Sequence, residues 1–321
     1  MTDQFGREIN YARISVTDRC NLRCRYCMPE CGVEKIPHAE ILTFEEILRV
    51  TRIFSRLGIK KIRLTGGEPL LRKNLSTLIH ELKKLRGIEL VTLTTNGVLL
   101  KNFSHELIAA GLDGINLSLD TLNAQTFSEL TRRKFLSHVL GGLQSLPENF
   151  PVKLNCVPFV GVNDSELVEL AMLAKSRPVK VRFIELMPIG SAINSKLVGV
   201  PSTEVFATLE KIFGELVPVR EKNSLQGPAQ YFQPKNFVGQ IGFIDAINHK
   251  FCAACNRIRL TATGFLKTCL SFDAGLDVKN LLRSDIHDDE LAAKIHETIY
   301  HKPREHFFGD ATKFQMYQVG G

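Results

Sequence analysis

The sequence predicts an α/β fold, an incomplete (βα)6 three-quarter TIM-like barrel followed by a smaller C-terminal domain. Three observations lead there. From residue 11 to about 185, short β-rich runs alternate with helix-patterned stretches, as parallel strands joined by crossover helices do. Several of those runs read as continuous apolar segments, which suits strands covered by helices. The alternation then stops near residues 220–230, where EKNSLQGPAQ is polar and carries Gly227 and Pro228. Six units fall short of the eight that close a ring, so the barrel should stay open. The expected division is 1–220 for the barrel and 221–321 for the second domain.

The expected strands are 11–17, 61–65, 90–94, 114–119, 152–157 and 179–185. The helix at 44–57 has the clearest ends. Thr43 is a good N-cap, Glu46 completes a capping box and Gly58 stops the helix. Helical periodicity recurs at 74–85, 104–110, 136–146, 164–176 and 203–213, with Gly87 and Gly111 as punctuation. Beyond the polar stretch we expect strands at 240–244 and 257–261 and helices at 278–283 and 289–301.

Composition narrows the class. The chain has 321 residues, 44% hydrophobic and 23% charged, which is ordinary for a globular protein. MTDQFGREINYARIS lacks an apolar core of signal-peptide length, and no apolar run approaches a membrane span. A cytoplasmic protein with reduced thiols is therefore expected, and its eight cysteines read as metal ligands more than as disulfides. The net charge of +7 and pI near 9.0 suit an anionic partner. The longest basic run, Arg132 to Lys134, is short, so nucleic acid is not expected. There is no HExxH, GxSxG, Walker or dinucleotide fingerprint, which argues against a zinc hydrolase, a serine hydrolase and the common nucleotide folds.

The chemistry concentrates in CNLRCRYC, directly after the first strand. Cys20, Cys24 and Cys27 are three soft thiols that suit an iron–sulfur cluster, zinc or copper(I). Three protein ligands leave one metal corner open; a zinc site completed by His38 or a cluster closed by Cys31 would not. A second group, Cys252, Cys255 and Cys269, follows the same logic. Spacing alone allows zinc with His249 there, or another cluster. LTGGEP, Leu64 to Pro69, ends the second strand, where two glycines permit close backbone approach and Glu68 could accept from an amino group. Arg13, Arg63, Lys153 and Arg182 each interrupt an apolar strand. Charges inside a barrel are costly unless paired, so several facing one lumen imply an anion between them. Arg257 and Arg259 alternate and so share one strand face. Six converging cations suit a polyphosphate. TTNG (residues 94–97), NLSLD (116–120) and Met187 are softer signals, and Cys156 reads as core.

TDRCNLRCRYCMPE and the residue-for-residue GGEP stretch resemble the radical S-adenosylmethionine (SAM) superfamily. Adding IRLTGGEPLLR, TTNG, NLSLD, VKLN, RFIELM, FCAACNRIRL and the terminal Gly320 and Gly321, the chain is similar over nearly its full length to the GTP 3',8-cyclases of molybdenum cofactor biosynthesis, the MoaA family. The resemblance implies two 4Fe–4S clusters, one on Cys20, Cys24 and Cys27 chelating SAM, the other on Cys252, Cys255 and Cys269 meeting the guanine base. It also implies SAM contacts at Tyr26, Gly67, Ser118 and Met187, with Glu68 in the same stretch. GTP contacts would be Arg13, Arg63, Thr94, Lys153 and Arg257, Ile258 and Arg259, with Arg182 joining them. The Gly320–Gly321 tail would insert toward the active site.

The implied reaction is reductive cleavage of SAM, removal of hydrogen from C3' of the ribose and attack of that carbon on C8 of guanine. Implied partners are a flavodoxin- or ferredoxin-type electron donor and a cyclic pyranopterin monophosphate synthase of the MoaC type, with the chain a monomer or homodimer. A radical SAM peptide or sulfatase maturase would instead carry more C-terminal cysteines and need no cationic lumen. A metal-bearing nucleic-acid-binding regulator would show a basic, aromatic surface patch and no SAM turnover.

Overall fold

Alternation within each strand decides which residues face the helices and which face one another across the barrel. The computed structural model describes every residue except 35, 220–224, 226, 309–311, 313 and 321. The domain boundary expected at 220/221, part of the polar stretch and Gly321 therefore lie outside the described residues. Six parallel strands pair in chain order: β1 (Tyr11–Ser15), β2 (Lys61–Thr65), β3 (Leu90–Thr95), β4 (Gly114–Ser118), β5 (Val152–Cys156) and β6 (Lys180–Ile184). Helices α1 (Phe44–Arg56), α2 (Leu75–Lys83), α3 (Leu100–Ala109), α4 (Ala124–Thr131), α5 (Leu136–Gln144) and α6 (Leu167–Ser176) connect them, and α7 (Ser202–Phe213) follows β6.

The capping box expected before α1 is present: Glu46 N donates to Thr43 Oγ1 at 3.2 Å and Thr43 N donates to Glu46 Oε2 at 2.7 Å. Such a cap contributes about 1 kcal/mol. The third helix begins earlier than the 104–110 expected, and α4 was not foreseen. Its polar, β-branched sequence AQTFSELT has weak propensity, but Asn123 caps it by accepting from Gln125 N and Thr126 N.

The later chain adds strands at both edges. β7 (Leu216–Val219), β8 (Gln230–Pro234) and β9 (Gln240–Ile244) extend the β6 side; β10 (Arg257–Leu260), β11 (Phe265–Lys267) and β12 (Gly275–Asp277) extend the β1 side. β9 lies parallel to β6 and β10 parallel to β1, but β9 and β10 do not pair, so the ring stays open. Residues 245–256 link the two edges. Helices α8 (Val278–Leu282), α9 (Asp288–Tyr300) and the short α10 (Met316–Val319) complete the chain.

The strands are not the continuous apolar runs expected but alternate. Ile14, Ile62, Leu64, Leu93, Leu117, Leu154, Val181 and Ile258 join one apolar cluster with Ile47, Val50, Phe54, Leu78 and Leu82 of the helices. Each fully buried aliphatic side chain contributes about 1.5–3 kcal/mol. The intervening residues are Tyr11, Arg13, Lys61, Arg63, Thr92, Asn116, Lys153, Asn155, Arg182, Arg257 and Arg259, and they occupy the other face. A one-residue slip would exchange the two sets, so burial and chemistry enforce the same register. Among the described residues no helix is long and apolar enough to cross a membrane.

Candidate active site

Topology sets the two cysteine trios at opposite ends of the lumen. Cys20, Cys24 and Cys27 follow the C-terminal end of β1. Cys252 and Cys255 immediately precede β10, whose first residue, Arg257, is level with Tyr11 at the start of β1. Cys269 follows β11, which runs back antiparallel with Lys267 level with Arg259. The five residues of β1 that separate the two levels rise on the order of 13 Å.

At the first end, two glycines pack against the root of the cysteine loop. A Cβ at Gly67 would stand 2.3 Å from the Arg19 carbonyl oxygen, and one at Gly66 2.4 Å from that of Thr17. Their close approach is to protein backbone. Glu68 is fully buried and its carboxylate accepts from Leu70 N at 3.0 Å, Thr95 Oγ1 at 2.7 Å and Asn96 N at 2.7 Å. Burial raises its carboxyl to about 7 against those bonds. Glu68 thus ties LTGGEP to TTNG. Asn96 continues the chain of contacts, its Nδ2 lying 3.6 Å from Cys20 Sγ. Tyr26 donates to Asp120 Oδ2 at 2.6 Å, and its ring packs on Phe159 at 5.3 Å. Gly67, Thr94, Ser118, Met187 and the three thiols line one cavity. Burial pushes Cys20 up to about 11 and Cys27 up to about 12. Near neutral pH these two thiols stay protonated unless a cation joins them.

At the other end, Arg13, Arg63, Arg182, Arg257 and Arg259 line a second cavity with Cys252, Cys255 and Cys269. Burial raises the Cys255 thiol, but Arg257 and Lys302 outweigh it and bring it to about 6. Cys252 Sγ lies 3.0 Å from His306 Nδ1 and accepts from His306 N at 3.4 Å. The two cavities share Asn155, Ile184, Met187 and Met316, so they form one path between the trios.

Among the described residues, the carboxylates of Glu68, Asp120 and Glu185 bond to groups other than Arg63, Lys153 and Arg182. Glu68 and Asp120 are occupied as described, and Glu185 accepts from Ile247 N, Asn248 and Ser202 N. Arg182 instead donates to Asn155 Oδ1 at 2.8 Å. The Asn116 amide oxygen, turned toward them, accepts from Arg63 and Arg182. Burial, with Arg182, Lys61, Arg63 and Lys180 adding repulsion, holds the Lys153 ammonium down to about 6. Lys153 and Lys180 stand over the Tyr231 ring at 5.8 and 4.5 Å. Ile258 turns away: it is 0% exposed and joins the outer apolar cluster. Thr94 lines the cavity of the first trio, not that of the cations, and its buried Oγ1 has no partner among the described residues. Arg259 donates to the carbonyls of Val319 and Gly320 at 2.9 and 2.8 Å. The tail therefore enters the lumen, where Gly320 packs on Thr65.

His249 and His38 are both exposed, and His249 pairs with Asp245 at 3.5 Å. Cys31 is an exposed free thiol. Among the described residues no three His, Cys, Asp or Glu side chains gather tightly enough for a single metal ion. Each trio instead lines a cavity wall, with N–H groups directed at sulfur, an arrangement suited to a soft polynuclear centre. Sequence reasoning missed Tyr11 and Lys61, although strand alternation with Arg13 and Arg63 signals both. It also missed Lys302, whose buried Nζ donates to Arg257 O at 2.9 Å and to Thr268 O, and Arg7, which donates to Cys252 O at 3.0 Å. No local pattern marks either residue.

Known proteins share this arrangement. Residues 14–174 match the model of the radical SAM superfamily, and residues 179–308 match Molybdenum Cofactor Synthesis C. A GTP 3',8-cyclase of Pelotomaculum thermopropionicum is 48% identical over 327 residues, covering 100% of both chains. One of Desulforamulus reducens is 46% identical over 327 residues, again covering 100% of both. Among solved structures, Streptococcus suis SuiB bound to S-adenosylmethionine superposes with a TM-score of 0.63 at 15% identity, over 92% of this chain and 68% of that one, a likeness of fold. With a partial barrel, a cysteine loop at its first strand and this identity over the whole length, the chain belongs to the radical SAM superfamily and, within it, to the GTP 3',8-cyclases.

Proposed function

We infer that this enzyme converts GTP to (8S)-3',8-cyclo-7,8-dihydroguanosine 5'-triphosphate, the first step of molybdenum cofactor biosynthesis. The observation that carries the reading is the lumen itself, where Arg63, Arg182, Arg257 and Arg259 line one cavity and a trio of thiols stands at each end. Cys20, Cys24 and Cys27 would hold a 4Fe–4S cluster and, with it, SAM; the donor set fits, because the thiols are soft, half-buried and face one cavity. When bound, cluster and SAM supply a carbon-centred oxidant that removes a hydrogen atom from the GTP ribose.

The chain's own residues do the rest. We propose that Tyr26, Gly67, Ser118 and Met187 contact SAM while Glu68 holds the loops that carry them. Arg13, Arg63, Lys153, Arg182 and Arg257 would hold the triphosphate, as several like charges around one lumen favour. Arg259 contributes charge and holds the tail. Ile258 can offer only its backbone, and Thr94 would act at the boundary between SAM and ribose. The second trio would hold another 4Fe–4S cluster facing the guanine base, a role supported by the N–H groups around its sulfurs. Gly320, fitted against Thr65, would help exclude water from the path between the cavities; Gly321 is proposed to share that role.

The proposed division of labour is radical generation in 1–220 and substrate anchoring in 221–321. The proposed setting is the cytoplasm, with the chain a monomer or homodimer. A flavodoxin- or ferredoxin-type donor would supply electrons, and a cyclic pyranopterin monophosphate synthase would take the product.

The test is anaerobic reconstitution with iron and sulfide, followed by SAM, dithionite and each nucleoside triphosphate in turn. About two four-iron clusters per chain are expected, with 5'-deoxyadenosine formation that depends on GTP. Equal stimulation by a peptide, or zinc in both trios, would contradict the reading.

A further inference from the structure

The basic run Arg132 to Lys134 plays no part in the chemistry described above, yet the end of α4 just before it, and the Arg132 side chain, are bonded to the loop that carries the first cysteine trio. Arg23 N and Arg25 N donate to the last carbonyls of α4, Thr131 O and Leu130 O, both at 2.9 Å. Arg132 takes a left-handed conformation, φ 54°, and its guanidinium donates back to Arg23 O at 2.8 Å. These bonds join two segments into one surface bearing Arg19, Arg23, Arg25, Arg132, Arg133 and Lys134. Arg19, Arg133 and Lys134 are exposed and the others half-buried. Among the described residues the side chains of Arg19, Arg25 and Lys134 have no hydrogen-bond or ion-pair partner. The nearby acids do not cancel this charge. Glu30 is 82% exposed and sits 3.7 Å from Arg132, Glu129 accepts from Gln125, and Glu34 is exposed.

The position matters as much as the charge. On its lumen side, the cysteine loop faces the cavity where Met316 and Tyr317 of the tail also lie. A protein cannot approach by that route. The outer flank, formed by the loop and the α4–α5 turn, is the way for an electron to arrive without crossing the substrate path. Burial of solvated like charges on such a face favours an acidic partner and speeds its encounter.

We propose that this basic face is the docking surface for an acidic one-electron donor protein. One electron leaves the donor's reduced flavin or iron–sulfur group and enters the centre held by Cys20, Cys24 and Cys27; no bond forms or breaks in that step, and the donor is oxidised by one electron. The proposal rests on that trio holding the cluster that cleaves SAM.

The reconstituted full-length enzyme and its Arg133→Glu/Lys134→Glu variant should be driven in parallel by dithionite and by reduced flavodoxin. The variant should match the parent with dithionite. With flavodoxin its kcat/KM for the donor should fall at least about tenfold, and the parent's rate should decline steeply with added salt, as steered association does. A milder Arg133→Ser/Lys134→Ser variant should fall between the two and guards against damage from the reversed charges. Equal flavodoxin-driven rates in parent and variants would overturn the proposal, as would an equal loss with both reductants. Salt-sensitive binding of a single-stranded oligonucleotide at this face, with flavodoxin turnover unaffected by the variants, would also overturn it in favour of a nucleic-acid surface. Absence of GTP-dependent turnover with dithionite in the parent would instead defeat the proposed function itself.

Discussion

GTP entering the lumen should draw protons from solution. In the ligand-free protein, burial and then the charges of Arg182, Lys61, Arg63 and Lys180 hold Lys153 down to about 6. Burial, with Arg63 and Arg182 beside it, lowers Lys61 to about 8. For Tyr11 burial acts upward, but Arg63, Arg13 and Lys61 outweigh it and bring the phenol down to about 8. A triphosphate beside these groups favours the ammonium forms and the neutral phenol, so all three shifts have the same sign. At pH 8, Lys153 should take up about one proton, and Lys61 and Tyr11 about half a proton each. The terminal phosphate, with a pKa of about 6, is already ionised at that pH and contributes little.

Affinity must therefore weaken as pH rises above 6, by up to about tenfold per unit, or ~1.4 kcal/mol, from Lys153 alone. The assay is titration calorimetry of the anaerobically reconstituted protein at pH 8, in buffers of different ionisation enthalpy. The slope of observed enthalpy against buffer enthalpy counts protons. Lys153→Met should lower that count by about one. A slope of zero, or proton release, would refute the placement of the triphosphate among these cations.

Three further outcomes follow from particular contacts. Arg259→Ala removes a cation and both bonds to the tail, so GTP binding should weaken about ten- to hundredfold, while SAM cleavage without GTP continues; equilibrium binding and deoxyadenosine assays separate the two. Gly320→Ala would place a Cβ 2.2 Å from Thr65 Cγ2 at a φ of 71°, expelling the tail; the ratio of deoxyadenosine to cyclised product should rise several-fold, and an unchanged ratio would remove the tail from the site. Arg7→Met leaves the buried Asp3 carboxylate without its 2.6 Å partner and frees carbonyls of residues 252 and 302–304. It should cost about 3–5 kcal/mol in chemical denaturation, and a loss under about 1 kcal/mol would show that the pair is solvated.

Much of this site could be read from residue order because it is local or periodic. Cys20, Cys24 and Cys27 sit within eight residues, and Arg13, Arg63 and Arg182 stand out because a charge in a buried strand demands a reason. The same period-two rule that paired Arg257 with Arg259 also turns Ile258 outward, so the structure separates residues that family resemblance had grouped. Lys61 was legible by that rule from Arg63. The strands β11 and β12 have three residues each, too few to show a pattern. Arg7, Lys302 and His306 brace the second trio from remote parts of the chain; Arg7 reaches Cys252 across 245 positions. Only folding brings such residues together, and no spacing in the sequence announces them.

If one GTP bridges both ends of the lumen, its ribose must lie where the radical from SAM is released. Turnover of GTP carrying deuterium at C3' of the ribose, with 5'-deoxyadenosine analysed by mass spectrometry, tests this directly. The account predicts deuterium in the deoxyadenosine. Deoxyadenosine formed without label while labelled GTP is consumed would contradict it.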